Sequence, residues 1–324
     1  MRVAVVGAAG MIGRKLIAQL LGAGALAGHE IEAVHAFDVV TPTAQRGAVS
    51  VTATAIDITT MAGANAVLAT DPDVIYHLAA VVSGEAEADF AKGYRVNVDG
   101  TRTLLEACRA ATEAGASPPR MVFTSSIAVF GGQLPDVIGD DHHLSPQTSY
   151  GTQKVIGEQL VQDYTRRGFV DGVSVRLPTI CIRPGAPNKA ASGFYSSILR
   201  EPLQGQPAVI PVAADLRHTF ASPRAAVSSL VRAATLNSAA IGSTRSLTLP
   251  GLSATISEQL AALERVAGAD VAALVRREPD PAIEAIVEGW PRALAAERAI
   301  ALGFEAESSF DEIIAVFQED ELGH

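Results

Sequence analysis

The sequence predicts an α/β fold, a doubly wound parallel sheet followed by a smaller C-terminal lobe. Three observations carry that prediction. Short apolar runs alternate with longer amphipathic stretches through the first two-thirds of the chain, the rhythm of strands joined by crossover helices. The first run ends in VVGAAGMIG, a glycine-rich turn leading from strand to helix. Finally, 48% of the 324 residues are hydrophobic, mostly Ala, Val, Leu and Ile, as strands buried on both faces require.

Taken in order, strands are expected at Val3–Val6, Ile31–Phe37, Val51–Ala55, Val74–Leu78, Met121–Thr124 and Val173–Leu177. Between the first two, RKLIAQLL places Leu16, Ile17, Leu20 and Leu21 on one helical face. VDGTRTLLEACRAA has the same helical pattern and leads into the fifth strand. Beyond about residue 178 Gly and Pro crowd IRPGAPNKAASG and LREPLQGQP, and the alternation breaks. Residues 1–177 are therefore read as a nucleotide-binding domain. Residues 178–324 are read as mainly a substrate-binding lobe, with some chain returning to the sheet.

Charge and cysteine content narrow the setting. The net charge of -10 is dispersed along the chain and opposes nucleic-acid or anionic-membrane partners, which need a basic footprint. No apolar run reaches the ~18 residues of a membrane span. MRVAVVGAAG reads as a first strand rather than a signal peptide. Cys108 and Cys181 are the only cysteines and are expected to be buried, reduced thiols of a cytoplasmic protein. The adjacent pairs Asp140–Asp141 and His142–His143 lack metal-ligand spacing, so no metal site is expected.

Gly7, Gly10 and Gly13, with Met11 and Ile12 between the last two, form G-x-x-G-x-x-G at the close of the first strand. Such a turn lets backbone approach a pyrophosphate at the positive end of a helix, the Rossmann-type dinucleotide site. Asp38 ends the second strand, where a carboxylate accepts hydrogen bonds from adenosine ribose hydroxyls and repels a 2′-phosphate. NAD is thus expected over NADP. Asp57 and its neighbour Ile58 end the third strand beside the expected adenine, although Asp57 also suits a helix N-cap.

The stretch TSYGTQK sets Tyr150 and Lys154 four residues apart, on one helix face. An ammonium beside a phenol favours the phenolate, which makes the pair a candidate acid/base centre.

In order, the chain shows GAAGMIG, AIDI, YHLAA, VNVDGT, TSSIAVFG and YGTQK. This series resembles the extended branch of the short-chain dehydrogenase/reductase family, strongly over residues 1–225 and again at ALGFEAESSFDEII. The resemblance implies Ser126, Tyr150 and Lys154 as catalytic residues, with Ser126 chosen over Ser125. It implies that Leu78, Ala79 and Ala80 pass under the cofactor diphosphate. Asn97 would sit in a helix behind the catalytic residues and help hold the Lys. Pro178, Thr179 and Ile180 would contact the nicotinamide amide. It further implies oxidation or reduction through NAD and a homodimer paired through the helices nearest residues 91–113 and 150–167.

The substrate half departs from the nucleotide-sugar members. RHTFASPR retains Arg217, but Ala221 and Arg224 stand where those members have His and Asp, and Thr179 replaces an Asn beside the sugar. Arg183, Lys189, Arg217 and Arg224 gather cations in an acidic chain, and a bidentate Arg suits a small carboxylate. RPGAPNKAASGFYSSILREPLQG and GWPRALAAERAIALGFEAESSFDEII are similar to the D-erythronate dehydrogenase group of the family. That similarity implies oxidation of the C2 hydroxyl of a four-carbon sugar acid. Ser83, Ser126, Tyr150, Thr179, Asn188 and Arg217 are its expected substrate contacts. A nucleotide-sugar epimerase or dehydratase, and a non-enzymatic NAD sensor, are the alternatives.

Overall fold

The computed structural model describes residues 1–45, 47–185 and 192–323. Seven strands form the central sheet: β1 Arg2–Val6, β2 Ala33–Asp38, β3 Ser50–Ala55, β4 Val74–His77, β5 Arg120–Ser126, β6 Asp171–Leu177 and β7 Ser246–Thr248. Their order is β7-β6-β5-β4-β1-β2-β3. Every pairing from β3 to β5 is parallel. The six strands expected from sequence are the first six of this sheet, with ends displaced by up to two residues. β5 runs on to Ser126, so that residue is the last of its strand.

The strand order reverses between β1 and β4, where chain leaving the two strands diverges to opposite sides. In open α/β sheets ligands bind outside the carboxyl ends of strands at such a reversal. The glycine turn follows β1 and YHLAA closes β4, so both motifs flank that point.

The stretch from Phe90 to Glu113 is helical but not uniform. An α-helical turn at Phe90–Gly93 passes into a π-helical segment, Tyr94–Asp99, before α-helix resumes at Gly100–Glu113. Such π segments recur at functional sites because the extra residue per turn re-aims a side chain. Here it carries Asn97, which is 3% exposed.

Two compact units divide the chain: Met1–Val129, Thr148–Arg176 and Val227–Leu247 form the first, and Phe130–Gln147, Leu177–Ala226 and Thr248–His324 the second. A single cut after residue 177 therefore differs in one segment before it, Phe130–Gln147. The reason is local: buried Ile138 bridges Leu294, donating from its N–H to Ala293 O and accepting from Ala295 N. The return of Val227–Leu247 to the first unit supplies most of a long helix, Pro223–Thr235, and the edge strand β7.

The first unit's core joins Ile75, Leu104, Leu105, Met121 and Phe123 around Cys108. The second has its own core, centred on Tyr195, Ile198, Phe220, Leu263 and Ile314. It is organised by a small sheet in which Arg217–Ala221 pairs antiparallel with Leu252–Thr255 and parallel with Thr179–Ile180. Both cysteines are buried free thiols. Among the described residues no helix is long and apolar enough to cross a membrane.

Candidate active site

The turn after β1 requires glycine for steric reasons. Gly7 has φ +96°, and a Cβ there would lie 2.5 Å from the amide nitrogen of Ala79. The two loops at the strand-order reversal thus meet backbone to backbone. A Cβ on Gly13 would collide with the carbonyl of Gly7. Gly10 caps the helix Met11–Ala23 without any side-chain hydrogen bond, and the first turn holds no acidic residue. The opening N–H groups of that helix lack intrahelical acceptors, so they and the helix dipole favour an anion. This is a cradle that a side chain would fill, fitted to a dinucleotide diphosphate.

Asp38 braces the same turn: its carboxylate accepts from Ala9 N at 2.9 Å and from Val39 N at 2.7 Å. Each oxygen has a second lone pair, which leaves acceptor capacity for ribose hydroxyls. Asp57 accepts from both the N–H and the hydroxyl of Thr59, and these bonds hold its carboxyl below the usual range. It is not the helix cap considered for it. Thr60 caps Met61–Leu68, accepting from Gly63 N at 3.1 Å. Ile58 is 6% exposed and belongs to the first unit's core, so its side chain serves packing and only its backbone remains for a ligand.

Ser126, Tyr150 and Lys154 all lie in the first unit. Thr148 caps the helix Ser149–Arg166 through Gly151 N, placing Tyr150 in the first turn and Lys154 one turn on. The Lys154 ammonium lies 5.5 Å from the centre of the Tyr150 ring and 4.8 Å from that of Phe123. It donates to Thr124 O at 2.7 Å. Burial pulls its pKa down to about 8, opposed by the nearby Glu158 carboxylate.

The two adjacent serines differ in their surroundings. Ser125 is buried and donates to Glu158 Oε1 at 2.5 Å, and Arg176 clasps the same carboxylate at 2.9 and 2.7 Å. Ser126 is only half-buried, and its hydroxyl accepts from Ala128 N. Sequence reading missed this Ser125–Glu158–Arg176 cluster. The signal was present, since Glu158 is four residues beyond Lys154 and shares its helix face.

The side-chain hydrogen bonds of Asn97 run to Val81 and to Gln153, the neighbour of Lys154. The Asn97 amide accepts from Val81 N at 2.9 Å, donates to Val81 O at 3.1 Å and donates to Gln153 Oε1 at 2.7 Å. A planar amide pairs fully with a backbone N–H and C=O, so Asn97 pins the loop between Ala80 and Ser83. The Thr124 carbonyl accepts from the Lys154 ammonium. Leu78, Ala79, Ala80 and Ser83 are half-buried along that loop. His77, at the end of β4, is buried and pushed down to about 3, mainly by burial and also by Lys154.

In the second unit Thr179 and Ile180 are half-buried and Pro178 is buried. The Thr179 hydroxyl lies 2.7 Å from His218 Nε2. Arg217 is 39% exposed at its side chain and pairs with Glu258 at 3.2 Å, also donating to Ser253 O. It borders a cavity of about 900 Å³ whose charged lining is Asp136, Asp215, Glu284, Glu288, Arg217 and Arg292. Of the four cations expected here, Arg217 and Arg224 are paired with carboxylates. Arg224 is paired with Glu319 and Asp320, and Arg183 donates to Ser192. Asn188 and Lys189 lie outside the described residues.

The family model described as the NAD dependent epimerase/dehydratase family matches residues 3–235. Two curated relatives are named D-erythronate dehydrogenase. The protein from Cupriavidus necator is 49% identical, covering 99% of this chain and 98% of its own. That from Haemophilus influenzae is 40% identical, covering 99% and 100%. A solved nucleoside-diphosphate-sugar epimerase from Agrobacterium tumefaciens superimposes with a TM-score of 0.97 at 55% identity, over 100% of this chain and 95% of that one. A glycine cradle that admits a diphosphate, an acidic residue ending β2 and a Tyr–Lys pair on the helix packed against β5 agree with these likenesses: the chain belongs to the NAD dependent epimerase/dehydratase family, with NAD as its cofactor.

Proposed function

We propose that the protein is an NAD-dependent dehydrogenase that oxidises the C2 hydroxyl of a small sugar acid, converting D-erythronate to 2-dehydro-D-erythronate. The observation that supports this most is full-length likeness to two relatives named for that activity, in a chain that retains Ser126, Tyr150 and Lys154.

The residues supply orientation and proton transfer. Bound NAD would supply the acceptor for the hydride that leaves C2. Gly7, Gly10, Gly13 and the opening N–H groups of Met11–Ala23 would hold its diphosphate, and Asp38 its adenosine ribose. Tyr150, as phenolate, removes the proton from the C2 hydroxyl. The positive charge of Lys154 stabilises that phenolate, and burial strengthens the effect because less water screens it. An ammonium has three donors; Thr124 O takes one, and the others suit the nicotinamide ribose. Ser126 hydrogen-bonds the C2 oxygen and keeps it oriented. Arg217 is the proposed partner of the substrate carboxylate, exchanging Glu258 for it.

A second reading is a nucleotide-sugar epimerase, favoured by the likeness to the Agrobacterium tumefaciens protein. Ala221 and Arg224, at the positions of that pattern's His and Asp, weigh against it, and Arg224 is already engaged by Glu319 and Asp320. Incubating the protein with NAD and either D-erythronate or a panel of nucleotide sugars separates the two. Stoichiometric NADH from the acid is expected; sugar epimerisation without net NADH would overturn the proposal. A homodimer is also proposed, through the helical faces around residues 91–113 and 150–167. The 61% exposure of Phe90, beside Tyr94, supports it, and light scattering of the purified protein tests it.

A further inference from the structure

His218, on the strand Arg217–Ala221, is 1% exposed. Its ring stacks on Tyr195 at 5.1 Å and 9°, with Phe220 edge-on at 5.2 Å and Trp290 at 5.4 Å. Both nitrogens are engaged: Nδ1 lies 2.9 Å from Pro291 O, and Nε2 lies 2.7 Å from Thr179 Oγ1. A carbonyl oxygen only accepts, so Nδ1 carries a proton. Burial pushes the ring's pKa down to about 4, so at neutral pH the imidazole is uncharged and Nε2 is a bare lone pair. The hydroxyl of Thr179 must therefore donate to it. A threonine hydroxyl has one proton and two acceptor sites. With the proton spent inwards, the oxygen can offer a ligand lone pairs only.

We infer that Thr179 is a specificity-determining residue presenting an acceptor-only oxygen to the bound ligand, with His218 as the positioning residue that keeps it so. The inference rests on the proposed function together with the expectation, implied by the family resemblance, that Thr179 meets cofactor and substrate. The matching ligand group is an N–H or O–H donor. Two sources exist, the nicotinamide carboxamide and a hydroxyl of the sugar acid beside C2. The substrate carboxylate and the 2-keto oxygen of the product are acceptors and are repelled from this position. A polyhydroxy acid is then favoured over a plain 2-hydroxy acid if the substrate hydroxyl is the source.

His77 provides an internal contrast. Thr101 donates to Asn97 O at 2.7 Å, so His77 Nε2 must be the donor to the Thr101 hydroxyl oxygen, 2.9 Å away. The two buried histidines are therefore opposite tautomers, Nε2–H for His77 and Nδ1–H for His218.

The test begins with nitrogen NMR of the whole protein, ¹⁵N-labelled at histidine and saturated with NAD, the signals being assigned through His77→Gln and His218→Gln. An Nδ1–H tautomer at His218 is expected; an Nε2–H tautomer overturns the inference. Thr179→Val is then compared with Thr179→Ser for NAD affinity by calorimetry and for kcat/KM on D-erythronate and on its 3-deoxy analogue. Leaving one ligand donor unsatisfied should cost about 5- to 100-fold. If the carboxamide is the donor, Thr179→Val weakens NAD and lowers both substrates equally. If the substrate hydroxyl is the donor, NAD affinity holds and only the preference for D-erythronate over the deoxy acid collapses. In either case Thr179→Ser recovers most of the loss. Unchanged NAD affinity together with an unchanged preference overturns the inference. Absence of any NADH release from D-erythronate in the parent protein sinks the substrate reading instead. NAD affinity and the His218 tautomer then decide the inference alone, and unaltered affinity in Thr179→Val overturns it.

Discussion

Lys154 in the first unit and Arg217 in the second are both cations read from sequence as functional, and their surroundings differ in kind. Lys154 is 3% exposed, tied to a backbone carbonyl and packed on an aromatic ring. Arg217 is 39% exposed, and its partner Glu258 is 53% exposed. A buried ammonium is costly and persists where chemistry needs it. An exposed ion pair is worth only ~0–1 kcal/mol, so a ligand carboxylate displaces it at small cost. On the proposed reading, the first unit contributes fixed, desolvated groups and the second contributes groups that can be exchanged.

The largest test of that contrast is Tyr150→Phe. Removing a general acid/base hydroxyl from a preorganised site should lower kcat by about 100- to 10,000-fold. NAD affinity, measured by calorimetry, should stay nearly constant. A variant with near-normal kcat at saturating substrate would move the proton transfer to another residue.

Arg217→Ala should have a smaller effect, because the guanidinium is screened by water and already satisfied by Glu258. A loss of about 10- to 100-fold in kcat/KM on D-erythronate is expected, below the range for fully desolvated pairs. The corresponding amide substrate should hardly respond. Equal losses on acid and amide would make Arg217 a support of the fold.

What the sequence disclosed follows the same division. The glycine turn, Asp38 and the Tyr150–Lys154 pair were read from local geometry, a turn, a strand end and one helical step, and Ser126 from the family resemblance. The partners of those residues were not, because they come from distant sequence. Thr124 O reaches Lys154 across 30 residues, and Asn97 reaches Gln153 across 56. Asn97 was assigned to the lysine because its helix was expected behind the site. The π-helical segment that carries Asn97 and its pairing with the Val81 backbone are features no sequence pattern disclosed. In the second unit, the pairing of Arg224 with Glu319 and Asp320 joins chain nearly 100 residues apart. The Thr179–His218 bond depends on strand pairing that no local pattern announces. Exposed cations gave a list of candidates; only the fold shows which carboxylates already hold them.

The cost of the buried cation can be measured directly. The fall of the Lys154 pKa from 10.5 to about 8 corresponds to about 3 kcal/mol. Below pH 8 the group is charged both folded and unfolded, and the fold bears the whole cost. Between pH 8 and 10.5 the folded state has lost the proton that the unfolded state retains. Unfolded chain then binds more protons, so this group makes stability rise with pH across that window. Lys154→Met should accordingly be inactive yet more stable than the parent at pH 7, by about 1–3 kcal/mol in urea unfolding. The advantage should shrink as pH rises from 8 to 10.5. A constant difference across that window would place the ammonium in a well-solvated setting and erase the contrast with Arg217.

The smallest expected effect belongs to Asp38, which stands between the two cases: its carboxylate is fixed by Ala9 N and Val39 N, yet on the proposed reading its remaining lone pairs serve the cofactor ribose. Asp38→Ala removes ribose hydrogen bonds worth roughly 1 kcal/mol each and the repulsion of a 2′-phosphate. It also frees the N–H of Ala9, a donor that can then turn towards a phosphate. The ratio of kcat/KM for NAD to that for NADP should fall by about tenfold, through KM far more than kcat, since Tyr150 and Lys154 are untouched. Asp38→Asn refines the test: it keeps an acceptor for Ala9 N and loses the charge. If repulsion dominates, Asn reproduces most of the change seen with Ala; if the bracing of the turn dominates, Asn behaves like the parent. A parent enzyme that prefers NADP, or one whose ratio ignores both substitutions, would remove Asp38 from cofactor selection and leave it a brace for the glycine turn.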